Sequence, residues 1–382
     1  MLFKAELAIF MSNTNYQICT RTIMDTSDPS IVFNDSGESN YYTKYADLVA
    51  NVSKSTADST KIKRLVEKIK SNTFNSDYNC AIGLSGGVDS SYLVHFAIEH
   101  DLRPLLIHVD TGWNSELAVK NIELLTKISG FDLFTYVVDW EQIKDIQLSF
   151  LKAAVPNQDI PQDHAIFAAF YKTAINHKIK WVLNGSNFAT ESILPSSWGY
   201  QAGDLAHIKD IHYKHSTTPL NRYPSMGYID YSASILLINR LKVVKPLNLI
   251  PYRKNDAINI LSNIYGWQYY GEKHYESLFT RFFQSWYLPT RFGFDKRRAH
   301  YSSLILNNEM SREEAMEKIS VPAYSDSNFN SDISYLASKF NLTSVEFLSL
   351  LNSPLGAHED YKQSKTVLKA LTKARKIISR LL

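Results

Sequence analysis

Two cysteines, Cys19 and Cys80, are all that this chain of 382 residues contains. Two thiols cannot build a disulfide framework, so a reducing, cytoplasmic compartment is expected. No apolar run approaches the roughly 18 residues of a membrane span. The opening Met1-Leu2-Phe3-Lys4-Ala5-Glu6-Leu7 sets an acid inside its short apolar stretch and shows no cleavage site, so no secretion signal is expected. Charge of one sign is scarce as well. Lys and Arg number 41 against 38 Asp and Glu, a net +3 that is too weak a field to argue for nucleic acid. Internal repeats and low-complexity tracts are missing. Glycine occurs only 14 times, and a single pair is adjacent, Gly86-Gly87.

That pair lies at the centre of the chain's organisation. Cys80 to Leu84 is a short apolar run, the two glycines follow, and a helical pattern runs from Ser90 to Glu99. Strand, tight turn and helix in that order aim backbone N–H groups and the positive end of the helix at one point, a place suited to an anion. Ser85, Ser90 and Ser91 add hydroxyl donors. No Lys stands in the turn, which separates it from the loop that grips a β,γ-phosphate. The hexapeptide Ser85-Gly86-Gly87-Val88-Asp89-Ser90 resembles the loop of the PP-loop ATP pyrophosphatases, enzymes that split ATP to AMP and pyrophosphate while adenylating a substrate. ATP with Mg2+ is therefore the expected nucleotide.

A hydrophobic content of 45% with 21% charged residues is ordinary for a globular chain of this length, enough for two or three domains. Residues 1–75 form an N-terminal segment, with Ile31–Phe33 reading as a strand and Lys61–Ser71 as a helix. From 76 to 250, strands expected at Cys80–Leu84, Leu105–Val109, Phe134–Val138, Trp181–Leu183 and Lys242–Val244 alternate with helices at Ser90–Glu99, Ser115–Ile128 and Ala165–Asn176. The fold class is thus α/β, a Rossmann-like parallel five-stranded sheet with ligands beyond the carboxyl ends of its strands. Those ends carry the loop itself, Asp110, Asp139, and the run Asn184-Gly185-Ser186-Asn187. Singly each is a cap or turn residue; together they favour one nucleotide site. From 251 to 382 the chain reads as amphipathic helices, opening at Lys254, Arg312 and Lys365, around a stretch dense in basic and aromatic residues.

Several stretches together resemble the N-acetyl sugar amidotransferases of surface-polysaccharide biosynthesis, the WbpG- and PseA-like group. They are Asp110–Glu123, Pro161–Tyr171, Asn184–Tyr200, Lys273–Ser277 and Arg291–Ile305. The resemblance implies conversion of an acetamido group on a nucleotide-activated sugar to an acetamidino group, with ATP and with ammonia from a separate glutaminase subunit like that of imidazole glycerol phosphate synthase. This chain departs from the family at the N-terminus. Where relatives carry four zinc-binding cysteines, it has Cys19, Thr22, Ser39 and Tyr42, so no structural zinc is expected.

The resemblance and the residues assign roles. Backbone N–H groups of Gly86, Gly87 and Val88, with the Ser85 and Ser90 hydroxyls, would hold pyrophosphate, while Asp89 orients the loop or binds magnesium through water. Gly185 and Ser186 complete the nucleotide site. The resemblance further places the Asp110 region against adenosine and Lys245 near the phosphates. For an anionic acceptor the candidates are Lys273, Arg281, Lys296, Arg297 and Arg298; a solvated basic face is the alternative. Asp163-His164 reads either as a helix cap with a core histidine or as a general base toward ammonia. Glutamine hydrolysis is assigned to another chain, because position 2 is Leu and neither cysteine sits on a Gly-rich elbow. The last helix, with six cations and no acid, is expected to dock on the body, with peripheral membrane or partner contact as the alternative. Two other functions stand beside the amidotransferase. They are a tRNA-modifying PP-loop enzyme, disfavoured by the cysteine count, and a non-catalytic ATP-binding scaffold.

Overall fold

The computed structural model describes residues 16–45, 47–48, 59–71, 76–238, 240–271, 275–324 and 326–381. The five expected strands form at the five apolar runs: β1 (Cys80–Gly83), β2 (Pro104–Asp110), β3 (Leu133–Val137), β4 (Trp181–Leu183) and β5 (Lys242–Val244). They make one all-parallel sheet in the order β3-β2-β1-β4-β5. Parallel neighbours need crossovers, and helices supply them: α1 (Ser59–Lys70) precedes β1, and α2 (Val88–Glu99), α3 (Glu116–Ser129), α4 (Trp140–Ala153), α5 (Ile160–Asn176) and α6 (Leu205–His215) connect the strands.

Alternation along the strands divides the core. Cys80, Ile82 and Leu106 pack with Leu93, Val94, Ile122 and Leu125 of α2 and α3 on one face. Ala81, Leu105 and Ile107 pack with Ile143, Phe150, Ala165 and Ala169 of α4 and α5 on the other. Because the chain steps from β1 to β2 on one side and later places β4 on the other, the crevice between β1 and β4 is the topological switch point, where such sheets bind ligands.

Helix α4 is not among the helices expected from the sequence, although Trp140, Ile143, Ile146, Phe150 and Leu151 recur at helical spacing. Asp139 caps it, accepting from Gln142 N at 3.2 Å. Its core face carries buried Gln142 and Gln147 among Ile143, Ile146 and Phe150. Gln147 accepts from the Trp113 indole at 2.7 Å, and Gln142 donates to the Pro219 carbonyl at 3.0 Å, so each buried amide has a specific partner.

The C-terminal part is helical as expected, with α7 (Lys254–Tyr265), α8 (Leu278–Phe282), α9 (Lys296–Leu306), α10 (Arg312–Ser320), α11 (Asp326–Lys339), α12 (Ser344–Leu351) and α13 (Lys365–Leu381). Its aromatic stretch is core: Phe279, Phe282, Phe283 and Trp286 join Trp113, Phe340 and Phe347 in one buried cluster. No described helix is long and apolar enough to cross a membrane.

The N-terminal segment is held by packing against this helical part. Met24 is buried with Ile193, Trp198 and Ala299, and Ile23 with Tyr301 and Ala315. Arg298 pairs with buried Asp25 at 3.0 Å and donates to the Ile23 carbonyl at 2.8 Å; Arg312 donates to the Thr22 carbonyl at 3.1 Å. Cys19, Thr22 and Ser39 are fully buried, and Ser39 N donates to the Cys19 sulfur at 3.3 Å. Burial pushes the Cys19 thiol up, but hydrogen bonds from Ser39, Thr22 and the Arg21 backbone outweigh it and hold the thiol below its ordinary range. Tyr42 turns its ring to the Arg21 guanidinium instead, 5.3 Å away.

Candidate active site

At the carboxyl end of β1 the chain enters the Gly86-Gly87 turn and then α2. The N-cap of α2 is Gly87, extended and without a side-chain cap, so the first N–H groups of the helix face the turn with no capping oxygen. Gly86 has φ +81°, and a Cβ there would lie 2.7 Å from the Ala118 carbonyl oxygen in the first turn of α3. The serines brace the turn: Ser85 and Ser90 hydroxyls are 3.1 Å apart, Gly87 N donates to Ser85 Oγ at 3.2 Å, and Ser90 Oγ donates to the Gly87 carbonyl at 3.1 Å. Trp267 Nε1 donates to the Gly86 carbonyl at 3.0 Å, pinning the turn from behind.

The turn after β4 closes the other side. Gly185 packs directly on the Asp89 backbone, where a Cβ would stand 3.3 Å from the Asp89 carbonyl carbon. Asp89 itself points back into this contact. It accepts from Tyr252 Oη at 2.5 Å, Asn187 Nδ2 at 3.1 Å and Thr190 Oγ1 at 3.4 Å. Its place is that of a clamp between α2, the β4 turn and the segment before α7. Burial, with Asp89 beside it, keeps the Tyr252 hydroxyl protonated well above its ordinary range. Substituting Tyr252→Phe removes a hydrogen bond to a charged group and is expected to cost about 1.5–3 kcal/mol. Thermal unfolding checks this; an unchanged midpoint would contradict the clamp.

Ser85, Gly87, Val88, Asp89, Ser90, Gly185 and Ser186 line one cleft, as the sequence groups them. Thr190, Glu191, Lys254, Tyr269, Tyr270 and Glu276 complete its wall and were not singled out from the sequence. Lys254 opens α7 and donates to Tyr269 Oη at 3.1 Å. Lys245 is exposed and is not part of the wall; among the described residues the cation lining the cleft is Lys254. The 276–278 segment reaches the site because it pairs with the chain beyond β2: Ser115 N donates to the Glu276 carbonyl and Leu278 N to the Trp113 carbonyl, each at 2.8 Å. Glu276 stands in the stretch Lys273–Ser277, the signal by which it could have been found. Asp110 does not line the cleft; its carboxylate holds its own turn, accepting from Gly112 N at 2.8 Å and Asn114 Nδ2 at 3.0 Å.

A second polar group gathers beside the cleft at the N-terminus of α5. Gln162 Oε1 accepts from Thr111 Oγ1 at 3.0 Å and Ser277 Oγ at 3.4 Å, and Gln162 Nε2 donates to Thr280 Oγ1 at 2.7 Å and Asp159 Oδ1 at 3.1 Å. Asp163 is exposed in the same turn, and Asp159 and Asp163 both act on the Lys296 ammonium, whose pKa burial holds below its ordinary range against the pull of the two carboxylates. Asp163 and Lys296 are thus brought together.

His164 is not available as a base. It is fully buried, its Nδ1 is 2.5 Å from the Ala202 carbonyl, and its Nε2 accepts from Met226 N at 3.1 Å. Both ring nitrogens are used by the neutral ring, which makes it the core histidine of the two readings. Three of the proposed acceptor cations are also committed elsewhere. Arg281 pairs with Asp332 at 2.5 Å, Arg297 forks onto Asp295 at 2.7 Å and donates to the Val321 carbonyl, and Arg298 holds the N-terminal segment. These are neither an acceptor site nor a solvated basic face; they are struts between helices. Lys273 lies outside the described residues.

No group of three or more His, Cys, Asp and Glu that could hold a metal is found among the described residues. Magnesium on a nucleotide does not require one, since it takes one or two carboxylates and completes its shell with phosphate and water; Glu191 and Glu276 beside the turn suit that role.

No curated protein matches the chain. Residues 276–375 match the family described as LPS biosynthesis protein WbpG-like, C-terminal domain. The matched segment begins at Glu276 in the cleft wall and runs through the aromatic helical core, so this C-terminal quarter of the chain is similar to the C-terminal domain of WbpG-like lipopolysaccharide biosynthesis proteins, the family that the sequence motifs resemble.

Proposed function

We propose that the chain is an ATP-dependent amidotransferase that converts an acetamido group of a nucleotide-activated sugar to acetamidino, in surface-polysaccharide biosynthesis. The observation that carries this reading is the uncapped start of α2 behind a Gly-Gly turn at the switch point of a parallel sheet, with Glu276, the first residue of the segment similar to WbpG-like proteins, in the cleft wall.

An amide is a poor electrophile because its nitrogen lone pair is delocalised into the carbonyl. Attack of the amide oxygen on the α-phosphorus of ATP forms an O–P bond and expels pyrophosphate, leaving an O-adenylyl imidate. Ammonia adds to the imidate carbon and loses a proton, the C–O bond breaks, and AMP departs with the former amide oxygen. The protein's contribution is position and charge. N–H groups of Gly86, Gly87 and Val88 and the Ser85 and Ser90 hydroxyls hold the phosphates; Lys254 faces them from across the cleft. Magnesium, when bound, neutralises phosphate charge. Asp163, exposed at the carboxyl edge of the sheet and coupled to Lys296, takes the proton from ammonia. The ammonia comes from a separate glutaminase subunit.

Heavy oxygen placed in the acetamido carbonyl tests the route. The label is expected in the phosphate of AMP; label retained in the sugar while ATP is consumed would contradict an adenylated imidate.

A further inference from the structure

Helix α13 (Lys365–Leu381) is 17 residues long, roughly 25 Å. It carries Lys365, Lys369, Lys373, Arg375, Lys376 and Arg380 and no acid. Lys365, Lys369, Lys373, Lys376 and Arg380 recur at intervals of four and three, the spacing of one helix face, while Val367, Leu371 and Leu381 fall away from it.

The root of this helix is fixed. Ser364 N donates to Asp204 Oδ2 at 2.7 Å, Lys362 N to Asp210 Oδ2 at 3.0 Å, and Lys365 pairs with Glu359 at 3.6 Å. Beyond the root, the Tyr228–Tyr231 turn contacts the helix without burying any of residues 365–373. Lys369 and Lys373 are exposed, and Val367 keeps 37% of its surface. A helix with Val367 exposed and Leu368 and Leu371 only half-buried, opposite a sequence face of cations, suits a partner that offers apolar depth and negative charge together. The boundary of a bilayer with acidic headgroups offers both, taking an apolar face about 5–10 Å deep. At 17 residues with six charges, the helix lies on such a surface and does not cross it.

We propose that α13 docks the protein onto an anionic membrane surface. The assignment is independent of the reaction proposed above.

Co-sedimentation of the full chain with vesicles tests it. Binding is expected to vesicles of equal parts phosphatidylcholine and phosphatidylglycerol, to weaken with added salt, and to be absent with phosphatidylcholine alone. The double variant K369E/K373E, folded by circular dichroism, is expected to bind at least about 30-fold more weakly, since each cation near such a surface contributes a factor of about five and the new carboxylates are repelled. A second variant, L371D, is expected to lose binding at unchanged charge on the cationic face. Equal binding to both vesicles, binding to neither, or an unchanged affinity of K369E/K373E would overturn the proposal; binding to neither would leave an acidic protein groove as the partner.

Discussion

Gly86→Ala is expected to lower ATP-dependent turnover about a hundredfold or more while leaving the chain folded. Two effects act together. At φ +81° an alanine is strained by about 1–2 kcal/mol. Its Cβ would also stand 2.7 Å from the Ala118 carbonyl oxygen, a backbone atom that cannot step aside without moving the start of α3. The turn has to shift instead, and its N–H groups move off the phosphates. Gly130→Ala is the control. It has φ +68° at the end of α3 with nothing within 4 Å of its Cβ, so it pays only the backbone strain. Steady-state kinetics of the two variants beside their unfolding curves separates loop geometry from stability; equal turnover in both would contradict the assigned role of the turn.

Acidification below pH 6.5 is expected to destabilise the fold before its buried carboxylates titrate. His164 is held neutral by burial, its pKa lowered from 6.5 to about 4, with Lys172 and Lys209 disfavouring the proton and Asp204 favouring it. A histidine depressed in the folded state stabilises fully above its unfolded pKa and loses that contribution as pH falls toward the folded one. For His164 the window is 6.5 to 4, and the loss is about 3 kcal/mol. His358 acts in the same direction, lowered to about 3 chiefly by burial, with His207 and Lys365 adding to it. It accepts from Asn157 N at 3.3 Å, and its Nδ1 meets His207 Nε2 at 3.0 Å, while His207 Nδ1 lies 3.2 Å from the Lys362 carbonyl. This chain of donors is complete only with both rings neutral. Asp204 and Asp28 have lowered pKa values, so their contributions fail only at lower pH. Denaturant unfolding at a series of pH values checks the prediction. Stability is expected to fall between pH 6.5 and 4 in the parent, and more gently in His164→Gln, whose amide satisfies the same two partners. Parallel curves would contradict the buried neutral ring.

The sheet and the Gly86-Gly87 turn were legible because local signals agree there: apolar runs of strand length, adjacent glycines and a helical period follow one another. Helix α4 was legible too, since Trp140, Ile143, Ile146, Phe150 and Leu151 keep a helical spacing, but it is absent from the expected elements; what the sequence does not show is that Gln142 and Gln147 are buried beside them. The basic and aromatic stretch misled for a related reason. Arg281, Arg297 and Arg298 look like anion ligands in sequence, yet Asp332, Asp295 and Asp25, distant in the chain in two of the three cases, claim them. Lys254, Tyr269 and Glu276 enter the cleft through tertiary packing of α7 and of the segment paired beyond β2. Only Glu276 stands in a stretch that the sequence marks, Lys273–Ser277.

The central claim is that this cleft adenylates an amide. The direct measurement is nucleotide product analysis with ATP and ammonium, across a panel of UDP- and CMP-linked diacetamido sugar acids, with mass spectrometry of the sugar. The account predicts AMP and pyrophosphate in equal amounts, dependent on one sugar and on ammonium, with O exchanged for NH in that sugar. ATP bound without turnover on any acceptor, with the candidate glutaminase also present, would contradict it and leave a nucleotide-binding scaffold.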